Sequence, residues 1–308
     1  MSRPECTGPP ELYYDNVQAS KYSQNSHIIE VQTRMTERAI ELLALPDDNV
    51  SKLLLDIGCG SGLSGEVITE LGHNWIGVDI SEAMLKVAIE DREIDGDVIL
   101  NDMGDGLPFR PGIFDGAISI SAIQWLCHAN TRDQYPQKRL LQFFQSLYAC
   151  MNRGARAVFQ FYPETVSQSE LITAQATKAG FTGGLVIDFP NSTKAKKVYL
   201  VLMVGGIQQL PKALMEEERA DHVSSIDRRS IKSDKRDKRK LLKRSRRWIE
   251  AKKDRARKHG KPECSSLIAN RPRESRCDFE RGDSILWWIF PFRFGTISDV
   301  DSVRIFVI

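Results

Sequence analysis

The sequence predicts an α/β fold: a mostly parallel sheet covered by helices on both faces, followed by a basic tail. Three observations carry this. From residue 52 to residue 204, strand-length apolar runs alternate with amphipathic helix-length stretches, the order that βαβ units produce. A glycine-rich turn, Gly58-Cys59-Gly60-Ser61-Gly62, lies between the apolar run Leu53-Leu54-Leu55 and a helical pattern restarting at Leu63. Between Arg228 and Lys261, eighteen Lys/Arg stand against four acids, a net of +14, so a formal charge of +2 leaves 2 − 14 = −12 for the rest.

Each element follows from its own pattern. Residues 27–45 space Ile28, Val31, Met35, Ala39, Leu42 and Leu43 by threes and fours, which makes a helix able to lie on a sheet. Before it, Tyr13-Tyr14-Asp15 and Lys21-Tyr22 mix aromatic and polar residues, suiting either a lid over a ligand or a short helix at the domain edge. Strands are expected at 52–57, 74–79, 97–100, 113–120, 155–161, 184–189 and 197–204. Helices are expected at 63–71, 82–92, 134–151 and 167–179. The sheet is therefore seven-stranded, and its last two strands form an antiparallel hairpin at the edge. Val198 to Val204 is apolar throughout, as a strand covered on both faces should be.

Domain organisation follows composition. Residues 1–206 read as one domain, 207–227 as a polar and acidic linker, 228–262 as a basic segment, and 263–308 as an atypical apolar tail expected to add nothing to catalysis. Cysteines 6, 59, 127, 150, 264 and 277 form no Cys-x-x-Cys pair, and His128 and His259 are too sparse to complete a four-ligand site, so neither a metal nor a disulfide framework is expected. A reducing, intracellular setting follows. The N-terminus has no secretory pattern, and the run Ile285 to Phe290 is far short of the ~20 residues of a membrane span.

The glycine turn is a ligand cradle. Gly60-x-Gly62-x-x-Gly65 alone also fits a dinucleotide fingerprint. Asp56 favours S-adenosylmethionine, because a carboxylate there suits a cationic amino group and repels a pyrophosphate. A turn with no ligand, capped by Asp56, stays open. Asp79, nineteen residues after Gly60, is placed for the two hydroxyls of an adenosine ribose. Asp102 and Met103 suit an adenine amino group and ring face, although Asp102 alone also reads as a turn acid. Tyr22, Cys59, Ile80 and Ser119 complete the expected cofactor set with Gly58, Gly60 and Gly62. On the same carboxyl rim, Gln124 can bond a base edge, and Trp125 can stack or lie under the sheet. Tyr162 and Glu164 follow the next strand; Glu164 suits a guanine's N1 and exocyclic amine, or the cap of the next helix.

Pro10-Glu11-Leu12-Tyr13-Tyr14-Asp15, Gln32 to Met35, the Asp56 loop, Asp79-Ile80-Ser81, Asp102-Met103-Gly104, Ser119 to Ala122 with Gln124-Trp125-Leu126, Tyr162-Pro163-Glu164, Gln175 to Phe181 and Pro190-Asn191-Ser192 closely resemble the eukaryotic small-subunit (18S) ribosomal RNA guanine-N7 methyltransferases. The resemblance runs from about residue 8 to about residue 261. It implies a class I, Rossmann-like methyltransferase fold, nuclear action on pre-ribosomal RNA, and a heterodimer with a small zinc-binding activator that pairs alongside the sheet. The apolar edge Val98-Ile99-Leu100 is a candidate contact. Lys243, Arg244, Arg246, Arg247, Lys252 and Lys253 look like the family's basic C-terminal helix and are expected to contact RNA phosphates or to serve nuclear import. A solvated tail is the alternative. Guanine N7 carries a free lone pair, so Gln124, Trp125, Tyr162 and Glu164 are expected to position the base, with no proton-transfer residue. A small-molecule methyltransferase or a non-catalytic assembly factor would share the first half of the pattern.

Overall fold

Alternation along each strand divides the apolar side chains between two helical layers. The computed structural model describes residues 3–129, 134–192, 195–206 and 210–215, and the backbone of 306–307. In β1 (Leu53–Ile57), Leu55 and Ile57 join one buried cluster and Leu54 the other. The same division recurs downstream. β2 (Asn74–Asp79) and β4 (Phe114–Ile120) flank β1 in parallel, β3 (Asp97–Leu100) pairs parallel with β2, and β5 (Met151–Phe161) pairs parallel with β4. β7 (Lys197–Met203) lies antiparallel between β5 and β6 (Thr182–Asp188). All seven expected strands are thus present, with the antiparallel hairpin at the edge.

An eighth strand was not expected. β8 (Phe306–Val307), from the apolar tail, pairs parallel with Ile99 and Leu100, so the sheet order is β6-β7-β5-β4-β1-β2-β3-β8. The edge read as a partner contact is taken here by the chain's own backbone.

Helices follow their patterns closely. α1 (Pro10–Tyr13) and α2 (Asn16–Gln24) precede α3 (Ser26–Leu43), which buries Met35, Ala39, Leu42 and Leu43. Asp15 caps α2 by accepting from Gln18 N at 2.7 Å, and Asn25 caps α3. α4 (Leu63–Glu70) follows the glycine turn. The helix expected over 82–92 is α5 (Glu82–Lys86) continued by a π-helical turn, Val87–Asp91. α6 (Pro136–Cys150) and α7 (Val166–Lys178) pack together in the opposite layer, where Phe143, Phe144 and Phe159 meet edge-on or tilted. The strand expected at 155–161 begins at Met151, because Phe114 pairs with Met151 and Gly116 with Arg156, which leaves an irregularity between them.

Part of the expected linker belongs to the domain. Leu214 N donates to Asp188 Oδ1 at 2.8 Å, Phe189 N to Leu214 O at 2.8 Å, and Arg38 Nη2 to Lys212 O at 2.9 Å, which docks 210–215 against α3 and the end of β6. The basic segment, with Lys243, Arg244, Arg246, Arg247, Lys252 and Lys253, lies outside the described residues. Among the described residues no helix is long and apolar enough to cross a membrane.

Candidate active site

The carboxyl ends of β1 to β5 open onto one cavity of about 480 Å³, within the size of small-molecule sites. Its floor is the glycine turn. Gly58 and Cys59 donate to Val78 O at 2.8 and 3.2 Å, folding the turn back onto β2. Gly58 has φ +72°, and a Cβ there would stand 2.3 Å from that of Ala122, so only glycine fits.

Asp79 joins two loops: Oδ2 accepts from Gly60 N and Oδ1 from Ser81 N, both at 2.8 Å. Burial raises its pKa while these backbone bonds lower it. A carboxylate has room for about four donors and Asp79 lines the cavity, so it can still accept from a ribose.

Asp56 sits deeper. It is fully buried and absent from the cavity wall; Ser64, which is on the wall, donates to Asp56 Oδ2. The carboxylate thus reaches the cavity through that hydroxyl. Its other oxygen, Oδ1, is buried without a partner. Burial pushes its pKa up to about 7, the Ser64 bond lowering it and Asp79 raising it. An orphaned carboxylate oxygen beside a cradle that excludes Cβ atoms fits S-adenosylmethionine, whose amino acid end is cationic.

Asp102 combines both sequence readings. It lines the cavity, yet it caps the 3₁₀ turn Met103–Asp105 by accepting from Gly104 N at 2.8 Å and pairs with Arg139 of α6. Tyr22, Cys59, Gly60, Ile80 and Met103 also line the cavity, whereas Gly62 and Ser119 do not. Gly62 is the left-handed cap of α4, and Ser119 is fully buried in β4 with its Oγ unpartnered. The Cys59 thiol is held well above its ordinary pKa by burial first, then by Asp79 and Asp56, so it is protonated.

Aromatic side chains form the opposite wall. The Trp125 ring is 8 % exposed and faces Tyr14 at 6.0 Å and Tyr13 at 6.1 Å, tilted to both. Ser81 Oγ donates to Tyr14 O at 3.0 Å, fastening the aromatic segment to the loop after β2. Burial, then Tyr22, Asp79, Tyr13 and Glu5, raises the Tyr14 pKa, so its hydroxyl stays protonated. Gln124, in the 3₁₀ turn Ile123–Cys127, donates from Nε2 to Ser121 O at 3.0 Å and leaves Oε1 buried without a partner. Tyr162 accepts from Lys197 Nζ at 2.9 Å and lines the cavity.

Glu164 is placed elsewhere. It is exposed, off the cavity wall, and its backbone N donates to Gln168 Oε1 at 2.7 Å; Thr165 caps α7 instead. A different acid is in the wall. Glu5 is 7 % exposed and lines the cavity, and Arg3 fixes its segment by donating to Tyr162 O at 2.8 Å and Pro163 O at 3.3 Å. Nothing in the spacing of Arg3-Pro4-Glu5 signals this. Cys6, His128 and Glu164 also come within 4.8 Å of one another, a set of potential metal ligands that sequence spacing hides because three separate segments supply it.

Comparison with known proteins agrees with this construction. A family described as "Methyltransferase domain" matches residues 55–159, and one described as "Methyltransferase involved in Williams-Beuren syndrome" matches residues 202–266. The 18S rRNA (guanine-N(7))-methyltransferase of Mus musculus is 58% identical over 84% of this chain and 92% of its own. The proteins of that name from Bos taurus and Arabidopsis thaliana are 53% and 50% identical, covering 85% and 89% of this chain and 93% and 99% of theirs. A solved magnesium protoporphyrin IX methyltransferase from Synechocystis PCC 6803 has a TM-score of 0.49 at 14% identity over 67% of this chain and 99% of its own. The chain is an S-adenosylmethionine-dependent methyltransferase and belongs to the 18S rRNA (guanine-N(7))-methyltransferase family.

Proposed function

We propose that the chain methylates N7 of a guanine in small-subunit ribosomal RNA during ribosome biogenesis. The observation that carries this is the single cavity in which the Gly58–Ser61 cradle faces Tyr14, Gln124, Trp125 and Tyr162, in a member of that family. S-adenosylmethionine, which the Gly58–Ser61 turn, Asp79 and the Ser64–Asp56 pair would hold, would supply a sulfonium methyl for displacement by the N7 lone pair, the sulfur keeping the C–S bonding electrons, so that no proton transfer is asked of the protein. The residues need only bind and align. Holding N7 about 3–3.5 Å from the methyl carbon gives up to about 7–11 kcal/mol over a bimolecular encounter. Trp125 and Tyr14 offer π faces to the cationic charge and exclude water, and the free Oε1 of Gln124 offers an acceptor to a base.

The basic residues Lys243 to Lys253 are assigned sequence-independent phosphate contacts, leaving base choice to the cavity. The nucleus is the expected site of action, since the substrate is pre-ribosomal. A small zinc-binding activator is assigned to the β3 edge, where it would take the place of Phe306–Val307; apolar strand edges favour such pairing. The test is to map N7-methylguanine in small-subunit RNA from cells with and without the protein. Loss of one methylguanine on deletion, restored by the wild-type chain, is expected. An unchanged map would sink the assignment.

A further inference from the structure

Glu5 is a buried carboxylate with little to hold it. Its side chain is 6 % exposed, and its one ion-pair contact among the described residues is Arg3 Nη1 at 3.8 Å, beyond hydrogen-bond distance. That same nitrogen is already donating to Tyr162 O at 2.8 Å. Among the described residues no hydrogen bond reaches the Glu5 carboxylate, although it lines the cavity with Trp125, Gln124 and Tyr162. The other buried acids are engaged, Asp56 by a hydroxyl and Asp188 by Arg38 and Leu214 N, and the half-buried Asp79 accepts two backbone N–H groups. A carboxylate that faces the cavity with no protein donor on it is free to accept from a ligand bringing two adjacent N–H groups.

Resting on the proposed function, we infer that Glu5 selects guanine by accepting hydrogen bonds from N1–H and the exocyclic amine. Guanine is the ribonucleobase whose pairing edge sets two donors side by side. Adenine presents a lone pair at N1, which the carboxylate repels; uracil has one N–H between two carbonyls. Glu5 thus takes the role that the sequence suggested for Glu164, and Arg3 keeps it at the wall by gripping the Tyr162-Pro163 backbone. The segment that positions the carboxylate is a single 3₁₀ turn, Pro4–Cys6, so this selectivity belongs to the N-terminal extension rather than to the methyltransferase sheet.

The test compares two RNAs that differ only at the mapped target: guanosine, or inosine, which lacks the exocyclic amine. Full-length protein is used throughout, with cofactor affinity measured by calorimetry beside kcat and KM. Wild-type enzyme is expected to prefer guanosine by about tenfold to a hundredfold in kcat/KM, the worth of one hydrogen bond to a charged acceptor. Glu5→Gln is expected to lose most of that preference while binding S-adenosylmethionine as the wild type does. If Glu5→Gln loses the cofactor, Glu5→Asp, which keeps the charge one methylene shorter, carries the same comparison. Full retention of the guanosine preference in an active variant would overturn the role of Glu5 alone. A wild-type enzyme that binds cofactor and methylates neither RNA would overturn the proposed function and this role together.

Discussion

Asp56 is a carboxyl kept where its charge is costly. A pKa raised from 3.8 to about 7 means that the cofactor-free fold prefers the protonated acid. The contribution to stability is present in full below about pH 4 and is lost as the pH rises through about 7, a change of about 4 kcal/mol. Thermal denaturation of the cofactor-free protein should therefore show a midpoint falling between about pH 4 and pH 7, and Asp56→Asn should flatten that fall. The same ionisation should tighten S-adenosylmethionine binding over that window, since only the charged acid attracts an ammonium. Gln124 poses a separate case. Its Nε2 holds Ser121 O and its Oε1 is free, so Gln124→Ala should keep cofactor affinity and lower methylation by about tenfold; unchanged turnover on the RNA would remove it from the site. At this scale the sequence was only partly legible. Gly58, Asp79 and Trp125 are readable because the strand-turn-helix pattern fixes where they fall. Glu5 is not, because its place is set by an Arg3 contact 159 residues away in sequence. Glu164 misled for the converse reason: proximity to the rim in sequence does not say which way a side chain points.

Elements were read more completely than residues, since period-2 and period-3.6 patterns are local. The exceptions are tertiary. The end of helix 82–92 relaxes into a π turn, and residues 210–215, read as the start of a polar and acidic linker, are held by Asp188 and Arg38. Arg38 joins α3 to β6: Nε donates to Asp188 Oδ2 at 2.9 Å, with the two side chains 16% and 3% exposed. Removing the guanidinium would leave the Asp188 charge buried with the Leu214 N–H but without its cation, and it would also release Lys212 O. Arg38→Ala should cost about 3–5 kcal/mol by urea denaturation, with a measured cost below about 1 kcal/mol contradicting the linking role. Asp188→Asn should cost less, because an amide needs less compensation than a charge.

Across the whole molecule, charge separates the tail from the body. Deleting 228–262 should weaken RNA binding and reduce the slope of log affinity against log salt, with the methylated position unchanged; an unaltered slope would argue for a tail that does not touch phosphate. The apolar C-terminus has acquired a structural place, because Phe306–Val307 pairs with the β3 edge. Truncation after residue 262 should leave cofactor affinity intact and speed amide exchange at residues 98–100, as an exposed edge does. Composition could not reveal that pairing: two residues carry no period, and the strand they join is far away in sequence.

The Arg3 grip on Tyr162 and Pro163 also orders events during synthesis. The first residues to leave the ribosome are bound to backbone made about 160 residues later, which at about 5–20 residues per second is a delay on the order of ten seconds or more. For most of that interval, once residue 62 is made, the nascent chain holds the cradle sequence but has nothing to anchor its N-terminus. The wall carrying Glu5 therefore closes only after β5 is made, and a chain stalled before β5 is complete has the motif for the methyl donor without the surface that chooses where the methyl goes.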